Sequence, residues 1–119
     1  GAPPDTISSD LHVVSGNTPG MPFLPLVMSK FLPLGFSLEQ VIAMATAAPA
    51  RVIDRDAKLG TLQVGAPGDV SVMEWVERPL SMVDTRNNRR DGTGFLSPVQ
   101  TVNNGVPFGR PYQLPFSVR

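Results

Sequence analysis

Asp10 and His12 set a carboxylate beside an imidazole in the run Pro4-Asp5-Thr6-Ile7-Ser8-Ser9-Asp10-Leu11-His12. The carboxylate supplies a hard oxygen ligand or a proton acceptor, and the imidazole a nitrogen ligand or a proton shuttle near neutral pH. Thr6 and Ile7 favour extended backbone, so the pair falls where a short strand would give way to a loop. On a continuing strand, residues 10 and 12 face the same side and both could meet one divalent ion. On spacing alone, the same residues equally make an ordinary turn aspartate and a loop histidine. His12 is the only histidine of the chain, and a metal centre needs roughly three or four protein ligands. A symmetric oligomer would supply the remainder by bringing Asp10 and His12 of two copies together.

Other polar groups are more dispersed. Arg86, Arg89 and Arg90, near Asn87, Asn88 and Gly92, could hold a phosphate of a small-molecule substrate through planar donor forks, or simply form a solvated charged loop. Glu39 suits the first turn of a helix, whereas Asp5, Asp54 and Asp56 are spare carboxylates, the last two reading as turn charges. Gly16-Asn17-Thr18-Pro19-Gly20 is a loop without the Lys-Ser/Thr ending of a phosphate-binding motif. The five methionines read as core filler, because thioethers pack irregular gaps and ligate only soft metals.

The elements that must position these groups change character along the chain. Residues 22–33 carry the stripe Leu24, Val27, Met28, Phe31 and Leu32, the spacing of one buried helix face, with Pro25 confined to the first turn. Ser37 and Gln40 form a capping box for a second helix whose stripe is Leu38, Val41, Ile42 and Ala45. Pro49 opens a further short turn through Val52 and Ile53. From residue 61 the pattern is extended: strands are predicted over 61–64, 69–76, 80–85, 98–102 and 106–108, the last two joined by Asn103-Asn104-Gly105. Trp75 and Phe95 are sheet-packing residues or the wall of a pocket. The Pro-rich tail, 109–119, is expected to cover an edge or reach a neighbouring chain.

Composition limits the function classes. The 119 residues are 41% hydrophobic with 13 Pro and 11 Gly, which fits one loop-rich globular unit. Ten basic residues balance ten acidic ones, so no global field points to nucleic acid or membrane as a partner. The absence of cysteine excludes disulfides and thiolate metal sites and is compatible with a cytoplasmic location. No apolar run approaches the roughly 18 residues of a membrane span.

Taken together, these segments resemble the amidohydrolase superfamily of metal-dependent hydrolases. The run Thr6-Ile7-Ser8-Ser9-Asp10-Leu11-His12 is similar to the last barrel strand of its dihydroorotase-like deacetylase branch. The helices from Gly35 to Ile53 look like the final barrel helices, Leu59-Gly60-Thr61-Leu62-Gln63-Val64-Gly65-Ala66-Pro67-Gly68-Asp69 like the entry to a terminal β-sandwich, and Pro98 to Gly105 like its closing strands. The resemblance implies an α/β chain: a C-terminal fragment of a (β/α)8 metallohydrolase barrel over residues 1–58, then β-sandwich strands over 59–119, rearranged in an oligomer. It implies Asp10 as catalytic base or metal ligand, His12 as a second ligand, and a divalent ion such as manganese or zinc. The paired histidines and carboxylated lysine of that family are missing, and a whole barrel needs about 250 residues. A sparse site of this kind favours phosphodiesters, cyclic or linear, or activated esters, since a metal-activated water needs few protein acids there. The alternative is a noncatalytic assembly module or an inactive fragment of an amidohydrolase. A stripped last strand and two uncovered helix stripes would also drive formation of a homodimer or higher oligomer.

Overall fold

The computed structural model describes residues 2–13, 23–53, 58–84 and 86–108. The 16–20 loop, Met21, Asp54, Asp56 and the 109–119 tail lie outside them. Among the described residues, three short helices precede five antiparallel strands. Helix α1 spans Leu24–Ser29, with Pro25 in its first turn as the sequence requires, and Leu32–Leu34 is a 3-10 turn that Gly35 closes at a φ of 96°. Helix α2, Leu38–Ala45, starts at the predicted capping box: the Gln40 backbone N–H donates to Ser37 Oγ at 3.2 Å and the Ser37 N–H to Gln40 Oε1 at 2.8 Å. Helix α3 is Ala47–Val52, so Pro49 lies two residues inside it. That position is tolerated because the early N–H groups of a helix have no intrahelical acceptor.

Strands β1 (Val70–Val76), β4 (Phe95–Asn103) and β5 (Val106–Phe108) form one sheet in the order β1-β4-β5, while β2 (Leu80–Val83) pairs with β3 (Arg89–Gly92). The register of β1 on β4 slips at Val72/Met73, which leaves Val99 without an opposite residue beside Pro98. A bulge there suits a proline, which cannot donate to a ladder. Asn104 and Gly105 both have positive φ, 48° and 78°, and join β4 to β5 with Asn103 already paired to Val106. The Asn104 N–H also donates to Asp69 Oδ1 at 2.7 Å, which ties this turn to the start of β1.

Three expectations are corrected. Thr6 and Ile7 join no strand ladder: their backbone meets the end of α2, with the Ile7 N–H donating to Met44 O at 2.9 Å. An isolated extended segment cannot form a ladder without neighbours. Residues 61–64 form no strand either, because Thr61 Oγ accepts from the Gln63 N–H at 3.2 Å and the Ala66 N–H returns to Gln63 O, giving turns. Conversely, Arg89–Gly92 is a strand despite its weak β-propensity, because Asp84 clamps the preceding turn.

The core joins both halves of the chain. Ile7, Met28, Val41, Met44 and Leu96 form its buried centre, with Leu24, Val27, Phe31, Leu32, Phe36, Ala45 and Met73 packed around it. Phe31 and Phe36 meet edge to face at 5.7 Å. The stripe of α2 is rotated from the predicted one: Val41 is 0% exposed and Met44 is buried, while Leu38 and Ile42 reach solvent, Ile42 at 37%. Met28, Met44 and Met82 are all buried, as core filler should be. Replacing Val41 by Asp should therefore cost more than about 3 kcal/mol, because the charge meets no partner, whereas Ile42→Asp should cost less than about 1 kcal/mol. Chemical denaturation of the two variants measures the difference, and equal losses would contradict this rotation of α2.

Candidate functional site

Asp10 and His12 lie on the segment that follows Ile7, and both are exposed. Its anchor is Ile7, buried against Met28, Val41 and Met44 and held by the backbone bond to Met44 O. Asp10 itself has a φ of 49°, the left-handed region. Aspartate tolerates that region better than most side chains do. The left-handed residue breaks the extended path, so the same-face relation of residues 10 and 12 expected of a strand does not hold. Both side chains have oxygen or nitrogen donors of the right chemistry for a divalent ion. Among the described residues, however, no group of three or more His, Cys, Asp or Glu is placed to hold a metal. Two donors do not complete a shell of roughly three or four protein ligands, so these residues alone do not fit a resident metal centre.

The arginines are placed elsewhere. Arg86 sits in the β2–β3 turn, where Asp84 Oδ1 accepts from the Arg86 N–H at 2.8 Å and the Asn88 N–H at 2.9 Å. Asn88 Nδ2 donates to Asp84 Oδ2 at 2.8 Å, and Asn87 carries a φ of 63°. These bonds, the Asn88 side chain first, hold the Asp84 carboxyl below its ordinary value. A lowered carboxyl stabilises the fold above its unfolded pKa, and that contribution fades as pH falls through the folded one. Glu39 is likewise lowered, chiefly by its own backbone N–H and then by Ser37. Arg89 and Arg90 are consecutive in β3, opposite Val83 and Met82, so they point to opposite faces and form no common fork.

None of Asp10, His12, Arg86, Arg89 and Arg90 lines either of two cavities formed by the described residues. The larger, about 710 Å³, is a groove between α2–α3 and the sheet, with Ile42, Ile53, Leu59 and Leu62 on its walls. The smaller, about 370 Å³, lies between the 3-10 turn, Trp75 and residues 91–94. The sequence signalled Trp75 as a possible pocket wall, but Asp91, Thr93 and Gly94 were not singled out. Their only local mark is the Gly92-Thr93-Gly94 spacing. Among the described residues, no helix is long and apolar enough to cross a membrane.

A model described as the amidohydrolase family matches residues 4–105. Among solved structures, an adenine deaminase superposes with a TM-score of 0.81 at 21% identity, over 87% of this chain and 28% of that one. A dihydroorotase superposes with a TM-score of 0.77 at 30% identity, over 91% of this chain and 28% of its own. This chain thus spans well under a third of the length of either protein. A search of curated proteins finds no match.

The left-handed backbone at residue 10 has a direct consequence for stability. Asp10→Gly should be tolerated better than Asp10→Val, since glycine adopts that φ without strain. Asp10→Val should cost about 1–2 kcal/mol, because a β-branched side chain is an outlier there. Equal midpoints for the two variants would show that residue 10 is not held left-handed in solution.

Proposed function

The chain belongs to the amidohydrolase family, and from that premise we propose that it contributes Asp10 to the active site of a hydrolase that breaks a C–N bond in a nitrogen heterocycle. One observation carries the assignment of Asp10: it is an exposed carboxylate in left-handed backbone, three residues after the buried anchor Ile7, within the part of the chain that the family model matches. Asp10 accepts the proton of the attacking water and returns it to the leaving nitrogen, a role that needs a carboxylate within hydrogen-bond reach of both. His12 assists from the same loop, as a ligand or a shuttle. A divalent ion, when bound, lowers the pKa of water and polarises the bond under attack. Asp10 and His12 would supply two ligands of its shell, and other groups the remainder.

The choice of bond leans on the two superposed proteins, one named for deaminating adenine and the other for acting on dihydroorotate. The narrower expectation of phosphodiesters or activated esters depends on the sparse donor set being the whole site. With a chain covering 28% of each superposed protein, that premise loses its force, and nothing in the likeness points to phosphodiesters. They remain a second arm of the assay.

A second copy of the chain is one source of the missing ligands. The groove holding Ile42, Ile53, Leu59 and Leu62, and the 80% exposure of Leu62, favour self-association as a partner of this kind. Light scattering over a dilution series should then give a mass above 12.7 kDa. A monomer at every concentration would remove the second copy from consideration.

The activity test compares a cyclic amide, an aminopurine, an aryl ester and a phosphodiester, each with Mn²⁺, Zn²⁺ or chelator. Metal-dependent turnover of a C–N substrate is expected, and Asp10→Asn should lower kcat by at least about a hundredfold, the scale of a lost general base. His12→Ala should raise the metal concentration needed. Turnover of the phosphodiester alone would restore the narrower expectation. No metal-dependent turnover of any substrate, or full activity in Asp10→Asn, would favour the noncatalytic module.

A further inference from the structure

The 370 Å³ cavity is within the size range of small-ligand sites, and its lining is selective. Leu32, Pro33 and Leu38 make an aliphatic side, Trp75 an aromatic wall, and Asp91 and Thr93 the polar rim. Trp75 is 41% exposed, which is unusual for so large an apolar ring unless its face serves something. Its position is enforced from behind. A Cβ at Gly94 would overlap the indole and crowd Val76 O, and a Cβ at Gly92 would come to 3.3 Å from Pro33 Cγ. Two glycines thus let the indole and the proline close on the backbone of the β3–β4 turn.

We propose that this cavity binds a small planar aromatic cation, such as a protonated amidine or ring nitrogen, stacked on Trp75 with its charge toward Asp91. The charge sign follows from the lining. Among the described residues that line the cavity, Asp91 is the only ionisable one. Arg89 shares its face of β3 two residues earlier but does not line the cavity. An indole face and a carboxylate both favour a cation, the one through its quadrupole and the other through its charge. Aliphatic walls opposite the indole favour a flat ring over a flexible chain, and the Thr93 hydroxyl can accept from a ligand N–H. This site goes beyond the proposed hydrolytic role of Asp10 and does not depend on it.

Benzamidine, benzamide and benzoate share a ring and a size but carry positive, zero and negative charge. Trp75 is the only tryptophan of the chain, so its indole N–H resonance in the full chain reports occupancy without a label elsewhere. Benzamidine should shift that resonance saturably, with a Kd about tenfold below that of benzamide, equivalent to 1.4 kcal/mol. Benzoate should bind more weakly than either. Asp91→Asn should make benzamidine and benzamide equal, while Thr93→Ala keeps the preference for the cation. Should Asp91→Asn disturb folding, salt gives the same reading on the unsubstituted chain, since the preference must shrink as sodium chloride screens the carboxylate. The absence of any saturable shift, equal shifts by all three compounds, or a preference insensitive to both Asp91→Asn and salt would each overturn the proposal.

Discussion

The Ser29 hydroxyl joins the helical half of the molecule to the sheet. It is completely buried, donates to Pro25 O at 2.7 Å and accepts from the Leu96 N–H at 2.8 Å, across 67 positions of sequence. A buried backbone N–H left without an acceptor costs about 1–3 kcal/mol, so Leu96 can enter the core only where such an acceptor waits for it. Helix α1, six residues long, is also too short to persist by itself. The one oxygen thus bridges a carbonyl in the first turn of a helix and the start of a strand. An apolar residue at position 29 would fill the same space and leave the Leu96 N–H without its acceptor.

Both candidate regions take their positions from that seam. Leu96 packs with Met28, Val41, Met44 and Ile7, and Ile7 is the last buried residue before the Asp10 loop. On the other side, Leu96 is the register partner of Trp75 in the β1–β4 ladder. A displacement of β4 against α1 would move the Asp10 loop through Ile7 and the cavity wall through Trp75 together. The two sites therefore share a mechanical reference although they share no residue.

Which elements the sequence revealed depended on how local their causes are. The capping box at Ser37 and Gln40 and the Asn-Gly turn before β5 are satisfied within a few residues, and both were predicted where they occur. Membership of the amidohydrolase family was readable in the same way, from runs such as that around Asp10 and the helices that follow. The face of α2 was misjudged because Leu38 and Ile42 are as apolar as Val41 and Met44, and only contact with Met28 and Ile7 decides between them. Thr6, Ile7 and residues 61–64 have strand-forming side chains but no ladder partner. Arg89–Gly92 has the partner without the propensity, since the Asp84 turn delivers it to β2. The cavity at Trp75 was half visible: an aromatic wall was anticipated, but the glycines that admit it matter only once β1 lies against the β3–β4 turn.

The positioning of Asp10 sets a physical limit on what this segment does alone. A catalytic carboxylate must be held to within roughly 0.5 Å, by packing or by hydrogen bonds to its supporting groups. Here the last buried side chain is Ile7, three residues earlier, and Ser8, Asp10, Leu11 and His12 are all exposed. One buried anchor fixes where the loop begins, and the backbone conformation at residue 10 constrains the direction in which the carboxylate leaves it. Left-handed backbone is a narrow well, which restricts that direction without determining it. In the proposed site, groups that pack over the loop would also complete the metal shell, so positioning and ligation would be one requirement rather than two.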